Sequence, residues 1–317
     1  MTPPTPRPDP RKRSNAESAH QREVRLNAMR NAQRNARRTA QETNSRGGGR
    51  GGSARGSGRG AGRANARQRA SLSLDSILET AIATLDREGS DKLTLRGLAA
   101  ELDSGVASLY WYASGKDELM GLAADEVIGR SLRENQALDS AGSSSPRDFA
   151  DFPPPEPDPR TSRQTKDALL KIRRLILCLF TQMMKHPWLA GQLIKAGPDG
   201  RNAFLYWETA GQQIMRMELT PSEQFHASVA AINYATGMGA EISEGIKELA
   251  GEQDREAGAR EQIREWEASD PDQYPFIHSV LGVVGLLDHR SEFIAGLDML
   301  LSGLERQTWT ASGRSAG

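Results

Sequence analysis

The sequence predicts an all-α protein: an N-terminal three-helix, helix-turn-helix domain, a larger helical domain behind it, and a disordered basic tail in front. Three observations lead there. From Leu72 onward apolar residues recur at helical spacing, with no strand-like alternation between turn signals. Two short apolar-faced segments, ending at Leu102 and starting at Val106, are separated only by Asp103-Ser104-Gly105, the layout of a helix-turn-helix. Ahead of both, residues 1–70 have a different texture altogether.

That leading segment holds sixteen Arg and one Lys against four acidic residues, so a chain of zero formal net charge divides into +13 and −13. Five of the first ten residues are Pro, and residues 46–63 alternate Arg with Gly, Ser and Ala. Such a composition buries too little apolar area to offset chain entropy, so 1–70 is expected to be a disordered Arg/Gly-rich arm whose partner is an anionic polymer. Residues 15–43 carry only Val24, Leu26 and Met29 as an apolar set and are expected to coil only on an anionic surface. Met29 is a second candidate start.

The head is expected over 71–135. Leu74, Ile77, Leu78, Ala81, Ile82 and Leu85 mark its first helix, with Ser73 as N-cap and Gly89 as stop. Thr94 caps the second, whose apolar face is Leu95, Leu98, Ala99 and Leu102. A third runs from Val106 to Tyr112, and after Ser114-Gly115 a longer one covers Lys116–Glu134. Ser143-Ser144-Ser145-Pro146 and Pro153-Pro154-Pro155 make 136–164 a linker without helix. The body, 165–307, has helical periods near 165–185, 199–217, 221–250, 276–287 and 290–307, with an acidic, Gly-interrupted stretch at 251–272. Residues 308–317 read as a disordered tail.

Composition excludes several classes. A single cysteine, Cys178, allows no intrachain disulfide and no cysteine-based metal site, which fits a reducing cytoplasm. No apolar run approaches the roughly 18–20 residues that span a bilayer, and the N-terminus has no apolar signal core, so neither membrane nor export is expected. There is no His-Glu-x-x-His pattern and no phosphate-binding Gly-Lys-Ser/Thr loop. Gly58-x-Gly60 follows no strand, and His186, His278 and His289 lack ligand spacing. The chain therefore reads as a non-enzyme that needs no metal and no cofactor.

The DNA-contacting residues follow from the helix-turn-helix. Val106 and Ala107 are small and let the third helix approach base edges. Arg96 suits a bidentate contact with guanine. Ser108 and Tyr110 carry hydroxyls for phosphate oxygens, Trp111 and Tyr112 lie at the rim, and Lys116 opens a helix whose N–H groups hold a phosphate. Tyr110 and Trp111 also suit a core, and Arg96 and Lys116 a solvated surface. The blocks Leu93-Thr94-Leu95-Arg96-Gly97-Leu98-Ala99-Ala100-Glu101-Leu102, Ser108-Leu109-Tyr110-Trp111-Tyr112 and Gly115-Lys116-Asp117-Glu118-Leu119 decide between these readings. Over residues 72–130 they resemble the N-terminal domain of the tetracycline-repressor (TetR) family. The resemblance puts Thr94, Arg96, Ser108, Tyr110, Trp111 and Lys116 on DNA-contacting positions. The family's glycine after the second helix is here Asp103, which tolerates the left-handed conformation of that turn.

Behind the head, His186-Pro187-Trp188-Leu189 and the run Glu292–Leu304 resemble the family's C-terminal domain over about 165–305. The resemblance implies a homodimer enclosing a small-molecule pocket. Two features of the residues also suit a dimer: the stripe Phe293, Ile294, Leu297, Leu300, Leu301 and Leu304, and the small residues between Ala227 and Gly239, although both would equally complete a monomer core. Aromatic and methionine side chains at Phe180, Met183, Met184, Trp188, Phe204, Trp207 and Met238, with polar anchors at His226, Asn233 and Tyr234, are the candidate effector contacts. Tetracycline-binding members place a drug-contacting histidine where this chain has Leu132, so Mg-tetracycline is not the expected effector. The functional expectation is a ligand-responsive regulator, a repressor released from a near-palindromic DNA operator by a small molecule. An activator of the same fold stays open, as does a structural protein that coats nucleic acid through the Arg/Gly arm.

Overall fold

The computed structural model describes residues 72–197, 199–248, 261, 263–283 and 288–314. The basic arm therefore lies outside the described residues, as do 251–260 and 262 of the acidic stretch. The described chain forms α1 (Leu74–Glu88), α2 (Leu95–Glu101), α3 (Val106–Leu109), α4 (Lys116–Ser140) and α5 (Arg163–Lys185). There follow α6 (Trp188–Ala196), α7 (Arg201–Ile214), α8 (Pro221–Glu248), α9 (Pro275–Val280) and α10 (His289–Arg314).

The head folds for local reasons that the sequence announces. Ser73 accepts from the Ser76 amide at 3.1 Å while the Ser76 hydroxyl accepts from the Ser73 amide at 3.1 Å, a closed capping box. The Thr94 hydroxyl accepts from the Gly97 amide at 3.0 Å and starts α2. Between α2 and α3 the chain reverses at Asp103, whose φ of 47° is left-handed without a glycine. The third helix is shorter than expected: it is a single turn ending at Leu109, and Tyr110-Trp111-Tyr112 form a turn. Tyr112 explains the break, because its hydroxyl donates to the Leu72 carbonyl at 2.8 Å and pulls the chain back towards the start of α1.

The body departs from the sequence reading in four places. α4 runs six residues past Glu134, to Ser140. The supposed linker is a packed strap: Arg147–Phe149 forms a 3-10 turn, and Phe149 is buried between Phe152 and Phe180. Burying one such ring contributes roughly 1.5–3 kcal/mol, and Arg173 and Arg174 add hydrogen bonds to the Phe152 and Ser143 carbonyls, both at 3.2 Å. α5 stops at His186, where Pro187 disfavours a further helical residue, and Pro187 then leads into an unanticipated helix, α6. α9 is only six residues long, and α10 continues to Arg314, beyond the boundary expected at 307.

Two apolar clusters make the core. The first starts in the head with Ile77, Leu98 and Leu109 and continues through Leu119 and Val127 of α4 into Leu175, Leu189 and Tyr206 of α5, α6 and α7. Head and body thus share one core. The second joins Phe149, Ile176 and Phe180 to Ala231 and Ala235 of α8 and to Phe293 and Leu297 of α10; the rings of Phe180 and Phe293 stack at 3.6 Å between centroids. This corrects the use made of the final helix's apolar stripe. Phe293, Ile294, Leu297, Leu301 and Leu304 are all buried against their own chain, as are Ala227, Ala231 and Ala235.

Candidate DNA-reading surface and ligand cavity

The head offers a compact set of exposed groups. Thr94 and Arg96 on α2, and Ala107 and Ser108 on α3, are exposed, and α2 packs directly on α3. Arg96 and Lys116 pair with no acid among the described residues, which leaves both charges free for an anion. Tyr110 is 57% exposed and Trp111 90%. An indole this bare contributes nothing to the core, so the core alternative fails for Trp111. Two expected contacts stand differently. Val106 is half-buried against the head core, and the Tyr112 hydroxyl is already spent on Leu72.

A cavity of about 360 Å³ opens in the body, within the size range of small-molecule sites. Ile128 of α4, Leu179 of α5 and Leu193 and Ile194 of α6 form one side. Tyr206 and Trp207 of α7 face Val229, Ile232, Asn233 and Thr236 of α8 on the other. Only Trp207 and Asn233 were among the candidates from sequence. Phe180 is stacked in the second core cluster, and Met183 is buried against the first. The Trp188 indole donates to Asp86, and the Tyr234 hydroxyl donates to the Phe293 carbonyl at 3.0 Å. Met184 and Met238 pack against the second cluster, while Phe204 and His226 are exposed. None of these eight lines the cavity, because each faces a different side of its helix.

Two carboxylates missed by sequence reading fasten the head to the body. Asp86, at the end of α1, accepts from the Trp188 indole at 2.7 Å, and both its oxygens stand 2.9 Å from Nδ1 of His186. A carboxylate only accepts, so the His186 proton is on Nδ1. Asp125 of α4 accepts from the Ala203 amide at 2.9 Å, and the Asn202 side chain donates to the Asp125 carbonyl at 3.0 Å. Burial pushes the Asp125 carboxyl above its ordinary value, against the opposing effect of those α7 contacts. The fit is close: Gly200 has φ +138°, and any Cβ there would collide with the Asp125 carboxylate. No sequence pattern marks such residues, since a lone Asp on a helix reads as solvated surface.

Among the described residues no three His, Cys, Asp or Glu side chains stand close enough to hold a metal ion, and no helix is long and apolar enough to cross a membrane.

Residues 77–122 match the family of bacterial regulatory proteins called tetR, and residues 164–308 match the tetracyclin repressor-like C-terminal domain. Over 238 residues the chain is 28% identical to an HTH-type transcriptional regulator of Saccharopolyspora erythraea, covering 74% of this chain and 84% of that protein. Over 170 residues it is 31% identical to the HTH-type transcriptional repressor DrrR1 of Streptomyces coeruleorubidus, covering 53% of each. Among solved structures, SCO7222, a TetR from Streptomyces coelicolor, aligns with a TM-score of 0.56 at 29% identity, over 75% of this chain and 99% of that one. Apo ActR from the same organism shares the fold, with a TM-score of 0.57 at 24% identity over 77% and 98% of the two chains.

Proposed function

This chain belongs to the TetR family of bacterial regulatory proteins, and we propose that it is a homodimeric repressor released from a near-palindromic operator by a small molecule in the cavity between α4 and α8. The observation that carries this reading is that one helix serves both sites: α4 begins at Lys116 in the head and lines the cavity with Ile128. A ligand that favours one position of α4 over another changes where the head sits. Each head places α3 in a major groove, with Arg96, Ser108 and Lys116 on bases and phosphates and with Tyr110 and Trp111 beside the backbone. Two such heads on a two-fold axis read half-sites about one turn of DNA, roughly 34–36 Å, apart or a multiple of it, and a shift of a few ångströms misaligns them.

The dimer uses the sides of α8 and α10 that the monomer leaves bare: Ala230 and Gly237 on α8, and Met299, 75% exposed, on α10. A charge at Met299 is expected to yield monomers on sizing with light scattering. The basic arm adds sequence-independent affinity by displacing counterions, so deleting 1–70 is expected to flatten the salt dependence and spare site choice. Repression rather than activation is favoured by the likeness to DrrR1. The primary experiment is an electrophoretic shift of the DNA flanking this chain's own gene. A sequence-selective shift, weakened by Arg96→Ala, supports the proposal, and its absence at moderate salt overturns it. An Arg96- and Lys116-independent affinity for RNA would instead favour a nucleic-acid-coating role.

A further inference from the structure

The chemistry of the cavity wall restricts what can enter it. Every described side chain that lines it is uncharged, and most are aliphatic or aromatic. Its few polar atoms are nearly all spent. The Tyr206 hydroxyl donates to the Leu175 carbonyl at 3.2 Å. The Trp207 indole donates to the Ser228 hydroxyl at 3.2 Å. The Thr236 hydroxyl donates back to the carbonyls of Ile232 and Asn233, at 3.0 and 3.2 Å. Asn233 is the exception: its carboxamide makes no hydrogen bond among the described residues and is exposed at the cavity's edge. An ion entering here would give up its hydration and find no counter-charge. A flat apolar molecule would find matching walls, and one carbonyl, hydroxyl or N–H on its rim would find an amide able both to donate and to accept.

We infer that the ligand class of this cavity is uncharged, predominantly aromatic or aliphatic molecules carrying a hydrogen-bonding group at one edge, held there by Asn233. The inference rests on the cavity being the effector site, as proposed above, and adds which molecules that site accepts. Carboxylates, phosphates and sulfonates are excluded as buried parts of the ligand.

Two fluorescent probes that differ in one charge test it on the full chain. N-phenyl-1-naphthylamine is neutral and has one N–H; 1-anilinonaphthalene-8-sulfonate has the same rings and a sulfonate. The neutral probe is expected to bind one per chain and at least about tenfold more tightly, because the sulfonate has no partner in the cavity. Ile194→Arg places a cation on the wall at a position already 61% exposed, so folding tolerates it. It is expected to reverse the preference. Asn233→Leu, also at an exposed position, is expected to weaken the neutral probe several-fold, for the loss of one hydrogen bond. Circular dichroism checks that both variants fold. Equal or tighter binding of the sulfonate by the unaltered protein overturns the inference. So does binding of the neutral probe that neither substitution changes, and so does failure to bind either probe. The operator shift is measured on the same preparations. A protein that shifts DNA but prefers the sulfonate refutes only the ligand class; one that shifts no DNA refutes the regulator reading, whatever the probes do.

Discussion

Removing the Asp86 carboxylate is the most informative single perturbation, because one small group in the head accepts from two buried donors of the body. Asp86→Ala deletes the acceptor of the Trp188 indole at 2.7 Å and of the His186 ring at 2.9 Å. Both donors are more than nine-tenths buried, so neither recovers a full hydration shell. Hydrogen bonds to a charged group are worth about 1.5–3 kcal/mol each. Asp86 itself is 31% exposed at its side chain, so water already screens part of that interaction, and the lower half of the range applies, about 3–4.5 kcal/mol for the pair. At about 2–4 °C per kcal/mol for a folded region of this size, that is a fall in Tm of about 6–18 °C. Urea unfolding followed by Trp fluorescence gives the free energy directly, and Asp86→Asn, which keeps one acceptor, is expected to fall between the two. A loss below about 1 kcal/mol in Asp86→Ala would refute the claim that these donors depend on this carboxylate.

Further outcomes are expected at four sites. Asp298→Ala strands the Arg173 guanidinium, which is 2% exposed and bonded to Asp298 at 2.6 and 3.1 Å; it is expected to cost about 3–5 kcal/mol in chemical denaturation. The double change Arg173→Met with Asp298→Leu is expected to cost less than that single change, since no charge is left buried. Asp103→Gly relieves a left-handed residue and is expected to be neutral or stabilising by up to about 1 kcal/mol, whereas Asp103→Val is expected to destabilise. Because burial raises the Asp125 carboxyl, the folded chain holds that proton more tightly than the unfolded chain does. The stability this gives at low pH is lost as pH climbs through the raised value, so Asp125→Asn is expected to flatten the fall in Tm that sets in as pH rises above the ordinary carboxylate value. Trp111→Ala is expected to leave the melting temperature unchanged and to weaken operator binding at least several-fold, since the ring buries nothing in its own chain.

The head was legible in the sequence because its rules are local. Ser73, Thr94 and Asp103 act within three or four residues of themselves, and the structure places their caps and turn as expected. The body was legible in its periodicity and misleading in its faces. The stripe Phe293–Leu304 looked too wide for one partner, yet the chain has two to cover it, α5 and α8. The strap at 143–162 looked like a linker because Pro and Ser dominate it, while its apolar anchor is Phe149, a ring that finds Phe180 thirty-one residues later. The cavity was the least legible part. An apolar side chain has the same spacing whether it meets a void or a neighbour, so Ile128, Leu179 and Ile232 carried no mark, while Phe180, Met183, Met184 and Met238, chosen as contacts, pack in or against the two core clusters.

The strap also decides how motion passes along α4. Arg174 of α5 holds the far end of that helix at Asp139, 2.6 Å away, and at Asn135, 3.0 Å away, and it bonds the strap's Ser143 carbonyl at 3.2 Å. That end is a fulcrum. At about 1.5 Å per residue, Ile128 lies about 16 Å from the fulcrum at Asp139 and Lys116 about 35 Å. A stiff rod pushed at Ile128 therefore moves about twice as far at Lys116. A bound molecule that turned α4 about Asp139 would move the head by about twice the shift at Ile128, a ratio set by where Arg174 grips. Loosening that grip with Arg174→Gln would leave both binding surfaces intact and take away the leverage between them.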